Sequence, residues 1–153
     1  MERSKCNNCP RKAKARTWVG VPFRLYTSVK SVGVDCVSGP LLIGEECGLA
    51  YRRLYDVVYK VEMFKLFRRD QKTFLRKLVD VLPSQFTIHR RVDSLLCGDF
   101  LFRVIGRARE MFCALFVGDL FYVVRPNIGV SEVREFDYDY CIRGPHSGCV
   151  FGV

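Results

Sequence analysis

A chain of 153 residues, 49% apolar and 13% aromatic, carries enough core-forming material for one folded domain and too much for a disordered one. Its longest apolar runs, Met111 to Val117 and Leu120 to Val124, fall well short of the roughly 20 residues that cross a bilayer, so no transmembrane helix is expected. A net charge of +9 suits an anionic partner, with RNA, an acidic protein surface and a membrane face all open.

The opening Met1-Glu2-Arg3-Ser4-Lys5-Cys6 is charged and no secretory signal is expected there. The expected location is therefore intracellular and cytoplasmic, with nuclear entry open, and the eight cysteines are read in a reducing compartment as buried thiols or metal ligands. Residues 1–16 hold six Lys or Arg and no apolar periodicity, which predicts a basic, flexible, Cys-containing arm. Residues 17–153 are expected to form a single α+β domain.

Within it, Val19, Val21, Phe23 and Leu25 alternate with other residues and predict a strand, with a second at Val32, Val34 and Cys36. Ser38-Gly39-Pro40 and Gly44 predict a loop. Ala50, Leu54, Val57, Val58, Val61 and Phe64 recur at helical spacing between Glu46 and Lys65. Asp70 suits the cap of a second helix with Phe74, Leu75, Leu78 and Val79 on its apolar stripe and Pro83 beyond its end. The two could also be one bent helix.

Beyond Pro83 the period changes to two: Phe86, Ile88 and Val92, then Phe100, Phe102 and Val104. Gly118-Asp119 fits a two-residue hairpin turn between the two apolar runs. Phe136, Tyr138, Tyr140 and Ile142 alternate with acidic residues as a last strand. The expected fold is α+β, a small mixed or antiparallel, barrel-like sheet of about six strands packed with one or two helices.

Cys6-Asn7-Asn8-Cys9 has the spacing with which two thiolates grip a tetrahedral zinc ion, and the cluster Cys141, His146 and Cys149, with His146 and Cys149 first, could complete the site if the chain ends meet. The alternative is a disordered arm with the other cysteines packed as small hydrophobes. No nucleophile elbow, cysteine-protease signature or glycine-rich phosphate loop is present, so no catalytic residue is assigned and no enzyme activity is expected. Eleven Lys or Arg against four acidic residues lie between Arg52 and Arg91. With Arg11, Lys12, Lys14 and Arg16 of the arm, Arg68, Arg69, Lys72, Arg76, Lys77, Arg90 and Arg91 are the candidate contacts to phosphate or to an acidic partner. The alternative is a solvated helix face whose cationic stems cover apolar surface.

From about Gly98 onward the chain resembles the small β-barrel of the coronavirus leader protein, the first non-structural product of the replicase polyprotein. The resemblance lies in Phe102-Arg103-Val104-Ile105-Gly106, an apolar hairpin, Val123-Val124-Arg125-Pro126-Asn127-Ile128-Gly129, and Cys141-Ile142-Arg143-Gly144. It implies a non-enzymatic viral protein that shuts off host gene expression by binding the translation machinery and its RNA, with Arg125 and Arg143 as surface contacts. The Cys-rich arm has no family counterpart, and the sequence ends at Val153 without the family's helical tail. The expected function is thus interference with host RNA or translation through a basic face. The alternatives are a structural RNA-binding subunit of a ribonucleoprotein and a zinc-tied protein-interaction module.

Overall fold

The computed structural model describes residues 2–3, 9–25, 27–105 and 110–148. A six-stranded sheet carries helices on one face and irregular chain on the other. Its strands are β4 (Thr87–His89), β6 (Phe100–Ile105), β7 (Glu110–Val117), β8 (Leu120–Arg125), β9 (Gly129–Val133) and β10 (Tyr140–Arg143), ordered β4-β10-β6-β7-β8-β9 with every pair antiparallel. Two two-stranded pairs stand apart from it: β1 (Glu2–Arg3) with β5 (Ser94–Leu95), and β2 (Ser28–Val29) with β3 (Gly33–Val34). The helices are α1 (Pro10–Arg16), α2 (Ser38–Glu46), α3 (Arg52–Val58), α4 (Val61–Arg69) and α5 (Gln71–Val81).

The α+β expectation and the six antiparallel strands hold, but the sheet stays open and, among the described residues, five helices replace the one or two expected. Closure is prevented at the outer edge of β9, which is already occupied: Gly20 N donates to Val130 O (3.0 Å) and Val130 N to Val21 O (2.9 Å). Gly129, at φ +87°, allows this approach, because a Cβ there would lie 2.2 Å from the Val21 carbonyl oxygen.

Ser38-Gly39-Pro40, expected as loop, begins α2. A proline in the first turn gives up no intrahelical hydrogen bond. The glycines answer to packing: a Cβ on Gly39 would meet Val124 Cγ2 at 2.4 Å, and one on Gly44 would meet Tyr51 Cδ2 at 2.3 Å. Composition that reads locally as a loop thus serves a helix pressed onto β7 and β8. Residues 17–25 form turns with one bridge, Phe23 to Val34, in place of the expected strand. The expected helix from Glu46 to Lys65 resolves into the end of α2, all of α3 and the start of α4, separated by turns near Gly48 and Tyr59. Asp70 caps α5 as expected, its carboxylate accepting from Thr73 N at 3.2 Å.

In-register pairing fixes two faces. Phe100, Phe102, Cys113, Leu115, Tyr122, Val124 and Ile142 meet the helices; Leu101, Ala114, Phe116, Phe121, Val123 and Cys141 form the second face. Only residues 140–143 of the expected last strand pair. The segment before them crosses the second face, where Phe136 stacks near Phe112 (5.5 Å) and Tyr138 is buried. Pro10 to Arg16, expected within a flexible arm, fold as α1, with Ala15 buried in the main core.

Candidate functional site

The most structured polar cluster lies where β3 runs into α2. Asp35 is 3% exposed, and its Oδ1 accepts from Val37 N (3.0 Å) and Ser38 N (2.8 Å) while Oδ2 accepts from the Tyr59 hydroxyl. Ser38 Oγ accepts from Asp35 N (3.0 Å) and donates to Thr27 O (2.9 Å). Asp35 therefore fastens the tight turn that leads into α2, and Cys36 sits inside that turn. Of the six described cysteines, five are buried and Cys36 alone is half-buried. Beneath it on β7 lies Cys113, whose pKa burial raises well above the ordinary thiol value, with Cys36 and Asp35 adding to the rise. Burial also raises the Tyr59 pKa, followed by the bond to Asp35, so that hydroxyl remains a donor.

Neither of the chain's two histidines serves this cluster. His89 pairs with Cys141, Cys141 with Leu101 and Leu101 with Ala114, which puts it three strand spacings, about 14 Å, from β7 and on the second face. His146 belongs to the far end of the molecule, where its carbonyl accepts from Arg11 Nη2 (2.7 Å). There Gly148 N donates to Cys97 O and Gly118 N to Cys97 Sγ, about five strand residues, roughly 16 Å, from Cys113.

The zinc grouping cannot be followed as a whole, since Cys6 and Cys149 lie outside the described residues. Cys9 is directed to Cys97, with the sulfurs 3.3 Å apart, and no group of three metal-ligating side chains forms among the described residues. Several candidate cations are engaged within the chain. Arg11 also donates to Gly148 O (2.9 Å), Lys12 pairs with Asp119 (2.7 Å) and Arg16 with Glu132 (2.8 Å). Arg143 grips the fully buried Asp99 through Nε and Nη2 (2.9 and 3.0 Å), which makes it a core ion pair instead of a surface contact. Arg91 meets Asp137 at 3.3 Å. Lys14, Arg68, Arg69, Lys72, Arg76, Lys77, Arg90 and Arg125 are exposed.

A cleft of about 240 Å³ opens on the second face, lined by Arg103, Phe112, Arg125, Glu135, Phe136 and Asp137. Arg103 lies 5.7 Å from the Phe112 ring and 5.5 Å from the Phe136 ring, and its buried Nε has no hydrogen-bond partner among the described residues. Neither this cleft nor the turn around Cys36 was assigned from sequence. The available signal for the turn was Asp35 with Ser38 ahead of Leu41, Leu42 and Ile43, a helix start masked by Gly39-Pro40.

No family model and no curated protein matches the chain. Among solved structures, the NlpC/p60 domain of the peptidoglycan hydrolase SagA superposes with a TM-score of 0.46 at 14% identity, covering 86% of this chain and 94% of that one. That neighbour is a hydrolase domain, and the expected non-enzymatic viral RNA-binding protein that shuts off host gene expression is withdrawn with the expectation of no enzyme activity. A likeness this weak transfers no residue role or substrate to this chain.

Proposed function

We propose that the chain is a thiol-dependent acyl-transfer enzyme with Cys36 as its nucleophile. The observation that carries this reading is the turn itself: of six described cysteines only Cys36 is accessible, and it stands at the head of a nine-residue helix inside a turn fastened by Asp35, Ser38 and Tyr59. A helix N-terminus favours the thiolate, the nucleophilic form, although the Asp35 carboxylate offsets part of that field. Cys36 Sγ attacks the acyl carbonyl, the leaving group departs, and water releases the acid from the thioester.

The absence of an imidazole from this turn sets the substrate class. Expelling an amine or an alkoxide requires a general acid to protonate it, whereas aryl esters and thioesters lose a stabilised aryloxide or thiolate unaided. Activated esters and thioesters are therefore the proposed donors. The test is incubation with p-nitrophenyl acetate, followed by intact-mass and peptide analysis of the wild type and Cys36→Ala. Acetylation confined to the Cys36 peptide, and lost in the variant, supports the assignment. Acetylation undiminished in Cys36→Ala, or none in the wild type, overturns it.

A further inference from the structure

Cys9 and Cys97 are separated by 88 positions in the chain, yet their sulfurs lie 3.3 Å apart inside the protein, with Cys9 6% and Cys97 0% exposed. Both positions are held from several sides. Cys9 precedes α1, which is fastened by Arg11 to the Gly148 and His146 carbonyls, by Lys12 to Asp119 and by Arg16 to Glu132. Cys97 is fixed by Gly148 N on its carbonyl and by Gly118 N, which donates to its sulfur at 3.3 Å.

We infer that Cys9 and Cys97 are a built disulfide site, a covalent clasp between α1 and the β5–β6 turn that closes under an oxidising thiol–disulfide poise. The oxidant is a low-molecular-weight disulfide of the oxidised-glutathione class. One protein thiolate attacks it, forming a mixed disulfide and expelling one small thiolate. The second protein thiolate then attacks the mixed disulfide at the protein sulfur, forming the Cys9–Cys97 bond and expelling the other small thiolate. Two protein thiols lose two electrons and two protons, and one small disulfide becomes two small thiols. Cys9 and Cys97 are both buried, so the small disulfide reaches them only when α1 undocks by local opening.

The neighbouring Cys47 does not compete. Its sulfur is engaged elsewhere, donating to the Arg11 carbonyl at 3.4 Å. The inference is independent of the proposed role of Cys36, which lies beside Cys113, about five strand residues from Gly118.

The test equilibrates the full chain in buffers of increasing oxidised-to-reduced glutathione ratio, followed by acid quench and non-reducing peptide mapping. The expected product is one crosslinked peptide pair, Cys9 with Cys97, absent from Cys9→Ser and from Cys97→Ser. Crosslinked wild type should unfold at a higher urea concentration than reduced wild type, while Cys9→Ser shows no such difference between the two buffers. Dominant linkage of Cys9 to any other cysteine, or no Cys9–Cys97 peptide at the most oxidising ratio, overturns the inference. Because Cys9→Ser retains Cys36, ester acetylation in that variant separates this result from the fate of the nucleophile assignment.

Discussion

Two thiol environments along β7, one beside Cys113 and one at its Gly118 end, divide the cysteine chemistry of this protein. At the head of α2 the thiol of Cys36 is half-buried in a polar turn whose carboxylate, serine and tyrosine are committed to one another. At the junction of α1 with the β5–β6 turn, Cys9 and Cys97 are buried and face each other. Accessibility and polar fastening, more than the number of cysteines, separate a thiol fit to meet a substrate from thiols fit to meet one another.

The strongest way to break this contrast is Asp35→Ala. It removes the acceptor for two backbone N–H groups and for the Tyr59 hydroxyl. Each buried donor left unsatisfied costs about 1–3 kcal/mol, so a loss on the order of 2–4 kcal/mol is expected in urea unfolding. The Cys9–Cys97 contact, at the Gly118 end of the strand, should still crosslink under conditions where the variant remains folded.

Gly39→Ala tests the same region through packing. The added methyl would lie 2.4 Å from Val124 Cγ2, which forces α2 away from β8 at a cost of about 1–3 kcal/mol. The expected outcome is a lowered unfolding midpoint together with altered Cys36 reactivity, since Cys36 directly precedes this turn of helix.

The smallest effect belongs to the α1 end. Asp119 has its pKa lowered below the ordinary carboxylate value chiefly by the hydrogen bond from Lys12, and Glu132 has its pKa lowered by Tyr122 and Arg16 against the opposing effect of burial. Carboxylates with depressed folded values stabilise fully above about pH 4 and lose that contribution as pH falls through the folded value. Docking of α1 should therefore weaken below about pH 4, read as faster hydrogen exchange of its amides. Asp119→Asn should reproduce part of that loss at neutral pH, by less than about 1 kcal/mol because the pair is part-exposed.

Features written in a few adjacent residues were legible before the fold was known. Asp70 with Thr73 caps α5, and Gly118-Asp119 joins β7 to β8, because caps and two-residue turns are fixed by local backbone chemistry. The misread segments depend on distant partners. Gly39 and Gly44 punctuate the sequence, yet they exist to let a helix approach Val124 and Tyr51. Phe136 and Tyr138 alternate like a strand, yet both turn into the second face of the sheet. The candidate site was illegible for the same reason. A search for cysteine near histidine follows sequence spacing, whereas Cys36 draws its surroundings from Tyr59 beyond α3 and Cys113 on β7.

The most direct test of the central claim is site-resolved alkylation of the folded, reduced chain with iodoacetamide, following each cysteine peptide by mass spectrometry. Cys36 should be modified at least about tenfold faster than Cys9, Cys47, Cys97, Cys113 and Cys141, as expected for the accessible thiol at a helix N-terminus among buried ones. Modification of Cys36 at the same rate as those five would contradict its assignment as the nucleophile.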